Sequence, residues 1–195
     1  MNALRKRRVG SVLKYTWPVY IVSGVVVVLV LRVIFGVTHR LPNYKTMTIF
    51  VSGQVTNNKK LEKDLLSEFK EKELKEFMCY SSDPSNESTY DYTLQLMVNT
   101  ADIMIIPSTE LDSLALKDFA FELSNEIIDS YYSGFSIYGK EDINYGVKID
   151  KEKVKEYMTL PEEDYCYMVF SGQSANVNPS ENHDNALLIA RNWGM

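Results

Sequence analysis

The longest apolar run of the chain follows a short basic segment, residues 1–14. Between Tyr15 and Val37 the only charged residue is Arg32. A helix crosses a bilayer in about 20 residues at 1.5 Å rise each, so the run is long enough. Arg32 lies near its far end, within snorkelling reach of the interface. Tyr15, Trp17 and Tyr20 sit at the near end, where aromatic belts form, and Pro18 falls in the first turn, where a missing N–H costs little. The pattern predicts a transmembrane helix over 15–37. A cleaved leader would have a shorter apolar core and an A-x-A-like site. Gly36-Val37-Thr38 is the one weak candidate for such a site, and no cysteine that could accept a lipid occurs before Cys79. The run therefore reads as an uncleaved signal anchor with a linker over 38–45.

Beyond the linker, short β-rich runs alternate with helical spacing. Thr46–Ser52 is β-branched and aromatic and ends at Gly53, which predicts a strand. Asn57 or Asn58 can cap a helix in which Leu61, Leu65, Leu66 and Phe69 share a face. Leu74–Tyr80 predicts a second strand, and Asp83-Pro84 a turn. Thr89–Asn99 predicts a helix with Tyr90, Leu94, Met97 and Val98 on one side. Asp102–Pro107 is nearly all apolar, as a strand buried on both faces should be. This βαβαβ order implies right-handed crossovers and a parallel sheet of order 2-1-3. Helices are expected over 108–119, 122–132, 151–158 and 180–193. Strands are expected over 136–138, 145–149 and 164–171, the last of them beyond the third. The expected fold class is thus an N-terminal transmembrane helix followed by a single three-layer α/β domain, 46–195, with a mostly parallel sheet.

Charge separates the two parts. The formal net charge of −5 hides a head, residues 1–40, with seven basic and no acidic residues, and a body, 41–195, of net charge −12. Five of the basic residues precede the apolar run, so the positive-inside rule places residues 1–14 in the cytoplasm and the body outside, in a single-pass cell-membrane topology. The acidic body argues against nucleic acid, whose phosphates need a basic face. Two His and two Cys are few for a structural zinc site. No cofactor motif is present: there is no Gly-rich phosphate loop, HExxH or EF-hand pattern.

The run Tyr90, Leu94 and Asp102-Ile103-Met104-Ile105-Ile106-Pro107 resembles the first lobe of bacterial extracellular solute-binding proteins. There a helix bearing Tyr and Leu precedes an Asp-apolar-Pro strand. Tyr145-Gly146-Val147 resembles their Tyr-Gly-Ile element, and the strand over 163–170 with the loop and helix behind it resembles a segment near the end of such chains. The resemblance implies a type 2 periplasmic-binding-protein-like lobe. Those proteins close two lobes on a ligand, whereas about 150 residues supply one lobe.

In a parallel α/β sheet, ligands sit outside the carboxyl ends of the strands. Ser52, Gly53 and Gln54 follow the first strand and Ser108, Thr109 and Glu110 the third, so both sets belong on that edge. Each set has a simpler reading as well, the first as a strand-end turn and the second as a helix cap with an acid in the first turn. Ser171–Gln173 repeats Ser-Gly-Gln and reads as a turn. Tyr131, Tyr132, Tyr138 and Tyr145 concentrate aromatic surface that could form a platform, with Tyr145 the candidate kept for ligand contact; half-buried packing is the plainer account. His183-Asp184 lacks a Gly-x-Ser-x-Gly elbow and reads as part of a helix start. The two cysteines lie in strands expected to have two others between them, about 14 Å apart at 4.8 Å per strand, too far for a disulfide. The reading reached from sequence is a membrane-anchored extracytoplasmic module that recognises a small solute or a membrane-protein partner. An envelope-acting hydrolase and a structural subunit of a membrane complex are the alternatives.

Overall fold

The computed structural model describes residue 17 and residues 19–32, 41–162 and 164–195. The chain divides into two units, residues 1–41 and 42–195. In the first, residues 19–32 form helix α1. Its Val, Ile and Leu side chains are exposed along its whole length. The rest of the span expected over 15–37, apart from Trp17, and the basic tail lie outside the described residues. Among the described residues no helix is long and apolar enough to cross a membrane.

The second unit is an α/β domain. Its elements run β1 (Thr46–Ser52), β2 (Gln54–Val55), α2 (Asn58–Glu68), β3 (Glu76–Ser82), α3 (Glu87–Met97), β4 (Ile103–Pro107), α4 (Ser108–Leu111), α5 (Asn125–Tyr131), β5 (Ile137–Lys140), β6 (Ile143–Lys148), α6 (Lys151–Val154), β7 (Met158–Thr159), β8 (Cys166–Phe170) and α7 (Asn185–Trp193). Six strands form one sheet in the order β3-β1-β4-β8-β6-β5, and β2 pairs with β7 in a small second sheet. The order 2-1-3, with the last strand beyond the third, is therefore present.

The sheet is mixed rather than mostly parallel. β1 is parallel to β3 and β4, but β4–β8, β8–β6 and β6–β5 are antiparallel. The physical reason lies between β6 and β8. A parallel return needs a crossover that spans the sheet, and this connection holds only the four-residue α6 and the two-residue β7. The chain stays at one edge and β8 starts there.

Helices cover both faces. On one side Met47, Ile49, Val51, Ile105 and Met168 pack against Leu61 and Leu65 of α2 and Ala186, Leu187, Ile189 and Ala190 of α7. On the other, Phe50, Met104 and Val169 pack beneath Tyr90, Leu94 and Met97 of α3. Strand alternation sends successive residues of β1 and β4 to opposite faces, so the continuous apolar run of β4 is buried throughout. The Asn57 side chain accepts the Lys60 N–H and caps α2. Ser124 caps α5 by accepting from Ile127.

Four expected helices are shorter, that over 122–132 running only Asn125–Tyr131. The one over 108–119 is a single turn, Ser108–Leu111, followed by a 3-10 turn at Leu116–Asp118. That over 151–158 stops at Val154 because Met158-Thr159 leaves it to pair with β2. The helix over 180–193 begins at Asn185, since Asn182 takes a left-handed conformation with φ 60° after Pro179–Glu181.

Candidate functional site

The carboxyl ends of β1, β3, β4 and β6 share one edge with the amino end of β8. Ser52, the last residue of β1, is fully buried there, and its hydroxyl makes no well-formed hydrogen bond among the described residues. Gly53 turns the chain with φ +149°, and an added Cβ would meet the Thr159 carbonyl at 2.5 Å. That close approach is a use only glycine allows. Gln54 is exposed and pairs with Thr159. The β2–β7 pair thus lies over Gly53 and presents Gln54 outward rather than leaving an open crevice.

The residues after β4 are held by Asp164, just before β8. The Ser108 hydroxyl donates to one Asp164 oxygen at 2.6 Å and the Thr109 hydroxyl to the other at 2.6 Å. The Ser108 N–H also donates to the Tyr165 carbonyl at 2.7 Å. Hydrogen bonds from Ser108, then Thr109, hold the Asp164 carboxyl below the usual carboxylate range. Glu110 behaves oppositely: burial pushes its carboxyl up, and the neighbouring Asp164 and Asp91 charges add to this. It accepts the hydroxyl of Tyr90, from α3, whose own acidity is suppressed first by burial and then by Glu110. The two carboxylates are thus set apart, one firmly charged and one poised upward. The hydroxyl and amide donors around Asp164 occupy both of its oxygens, which fixes the rim in place.

Beside this rim a cleft of about 480 Å³ is lined by Lys148, Asp150, Lys151, Glu162, Asp164 and Tyr165, among others. The Lys148 ammonium lies 3.8 Å from the centroid of the exposed Tyr165 ring, a cation–π geometry. Lys151 is committed to structure, because its ammonium bonds the carbonyls of Pro161 and, at 2.6 Å, Asp164.

Six of the seven candidates, Ser52, Gly53, Gln54, Ser108, Thr109 and Glu110, belong to this edge. Tyr145 does not. It lies within β6, beside Gly146, which pairs with Val169 in mid-sheet, and its ring is buried in the α3-side core. The other tyrosines do not form a platform with it. Tyr131 and Tyr132 belong to the opposite core and donate to Asp184 and the Leu187 carbonyl, while Tyr138 donates to Asp112. Ser171–Gln173 lies at the far edge, because antiparallel β8 ends where parallel β4 begins. Asp164 and Tyr90 were missed. The direction of β8 is the signal for Asp164, since in an antiparallel strand the residues before it, not those after it, reach this edge.

The far edge carries a polar knot. The Asp102 carboxylate accepts from Thr48 N at 2.7 Å, from Asn176 Nδ2 at 3.2 Å and from the Ser174 hydroxyl. Asn176, fully buried, also donates to the Thr46 carbonyl at 2.8 Å and accepts from Asn185 at 3.1 Å. This ties β1, β4 and the loop after β8 together. His183 stacks on Tyr44 with ring centroids 4.0 Å apart, and Asp184 binds Lys72 at 2.8 Å, so neither assembles with a serine. Among the described residues no group of three His, Cys, Asp or Glu could hold a metal ion. No family model, curated protein or solved structure matches the chain.

Proposed function

We propose that the chain is a membrane-anchored extracytoplasmic binding module that presents the strand-end rim of its α/β domain to a small solute or to a membrane-protein partner. The observation that carries this is the rim itself. Ser108, Thr109 and Asp164 are locked together at the carboxyl end of β4, with Glu110 and Tyr90 behind them and exposed Gln54 and Tyr165 on either side. Rigid polar groups beside an aromatic ring suit recognition of a polar ligand, and the edge is the one where α/β sheets bind ligands. The resemblance to one lobe of extracellular solute-binding proteins points the same way.

Anchoring rests on the Val-rich run and on α1, whose apolar side chains are exposed all round. A helix of that kind needs an apolar surround, which a bilayer supplies. The basic head then lies in the cytoplasm and the body outside. Binding is preferred to hydrolysis because His183 stacks on Tyr44 and assembles with no serine.

The test is a thermal-shift screen of the full-length protein in mild detergent against sugars, amino acids and short peptides. A ligand at 100 times its Kd stabilises by about 2.7 kcal/mol. A hit that disappears in Thr109→Val supports the rim as the site. A uniformly flat screen removes the solute and leaves the membrane-protein partner, which co-purification from membranes through the intact rim would detect.

A further inference from the structure

The two edges of the six-stranded sheet are built differently. β5, at one edge, has four residues, a register irregularity between Tyr138 and Gly139, and Lys140 at its end. Shortness, a bulge and a lysine are the devices that blunt an edge against pairing. β3, at the other edge, has none of them. It runs seven residues, pairs with β1 along its full length without a bulge, and has no proline or lysine. Its Met78 and Tyr80 are 43% and 44% exposed on the α3 side.

The backbone fixes which of its groups are free. Ser82 accepts the Gly53 N–H at 2.9 Å and so faces β1. Alternation then turns the N–H and C=O of Phe77, Cys79 and Ser81 away from β1, toward the open edge. Cys79 is the middle residue of the strand. An antiparallel copy of β3 centred on it uses all of these groups at once. That register sets Met78 against Tyr80 of the second copy, a sulfur–aromatic contact made twice. It also brings Lys75 and Asp83 of the second copy, the residues flanking β3, near each other at both ends, with one Asp83 oxygen already accepting the Ser85 N–H at 2.9 Å. Lys75 and Asp83 are exposed. Sliding the strands by two residues shortens the overlap and separates the charges.

We propose that the open edge of β3 is a self-pairing surface, through which a second copy of this chain docks antiparallel about Cys79, joining two six-stranded sheets into one. The two-fold contact is isologous and closes at a dimer. It is independent of whether the rim binds a solute.

The experiment is light scattering and sedimentation of the full-length protein in mild detergent. The wild type is expected to dimerise. Lys75→Asp and Asp83→Lys should each raise the dimer dissociation constant about tenfold, since two exposed ion pairs are lost and replaced by repulsion. The double swap should restore most of the affinity. Met78→Lys, at an exposed position that needs no repacking, should leave a folded monomer whose melting temperature no longer depends on protein concentration. Oxidation of a mixture of Met78→Cys and Tyr80→Cys chains should give a disulfide between the two variants, because facing residues lie about 4.5–5.5 Å apart. A monomer at every concentration would overturn the proposal. So would a dimer that survives Met78→Lys and forms no such disulfide, because self-association would then run through another surface such as α1.

Discussion

The Asp102 carboxylate accepts the backbone N–H of Thr48 at 2.7 Å, although 54 residues separate the two in sequence. The bond joins the start of β4 to β1, and Ser174 and Asn176 bond the other carboxylate oxygen. All three partners are donors, so the site calls for an acceptor at both oxygens. Asp102→Asn puts an amide donor against one of them. Leaving a buried donor unmet costs about 1–3 kcal/mol. Urea denaturation at pH 7 should show a loss of that size, and Asp102→Ala a loss at least as large.

The same residue gives a pH dependence with a definite sign. Burial raises the Asp102 carboxyl above its ordinary value, against the opposing bonds from Ser174, Thr48 and Asn176. Its folded pKa therefore lies above its unfolded one, and the folded state binds the proton more tightly. The contribution to stability is fully present below the unfolded value and is lost as pH rises through the folded one. Asp164 is depressed, chiefly by Ser108, so its contribution is present above the unfolded value and lost as pH falls. Comparing stability against pH for the wild type, Asp102→Asn and Asp164→Asn should give difference curves of opposite slope in the acid range. Parallel curves would contradict both assignments.

Gly53→Ala tests the cover over β1. The new Cβ would press on the Thr159 carbonyl from 2.5 Å, in a backbone conformation that L-residues rarely adopt. Strain of this kind costs about 1–3 kcal/mol. The β2–β7 pair should part first, so hydrogen exchange of Thr56, whose N–H donates to the Tyr157 carbonyl at 2.9 Å, and of Thr159 should rise more than that of β4. Uniform exchange across the domain would show that the pair is not the element displaced.

Much of the fold was legible because it depends on local pattern and chain order. The run Ile103–Pro107 is apolar throughout and is the buried central strand. Tyr90, Leu94 and Met97 at helical spacing do pack on one face. The direction of β8 was not legible, because it depends on where a 17-residue connection returns rather than on any residue in the strand. That one reversal brings Asp164, which precedes the strand, to the rim and sends the Ser171–Gln173 turn to the far edge. The β2–β7 pair was hidden for a related reason. Two-residue strands 103 positions apart leave no periodicity, and Gln54 and Thr159 meet only after the larger sheet has formed. Tyr145 was misplaced because a tyrosine in a strand shows its type but not its distance from the edge.

The cysteines give the sharpest chemical prediction. Cys79 lies in β3 and Cys166 in β8, with β1 and β4 between them, and both are free thiols. At about 4.8 Å per strand they are at least roughly 14 Å apart across the sheet, and Cys79 is level with Phe170 rather than Cys166, so the gap is more than twice the reach of a disulfide. Cys166 faces the α2–α7 core while Tyr167 faces the other, as alternation requires. Burial pushes the Cys79 thiol up to about 12 and the Cys166 thiol up to about 11. Alkylation attacks the thiolate. At pH 8 a thiol of pKa about 12 is ionised roughly a thousandfold less than an ordinary one near 8.5. Iodoacetamide on the native protein should therefore label neither residue over a time that labels free cysteine completely. The unfolded, unreduced protein should take up two labels. Failure to label after unfolding, with a mass two units lower, would require the two strands to lie side by side and would break the order β3-β1-β4-β8 on which the rim depends.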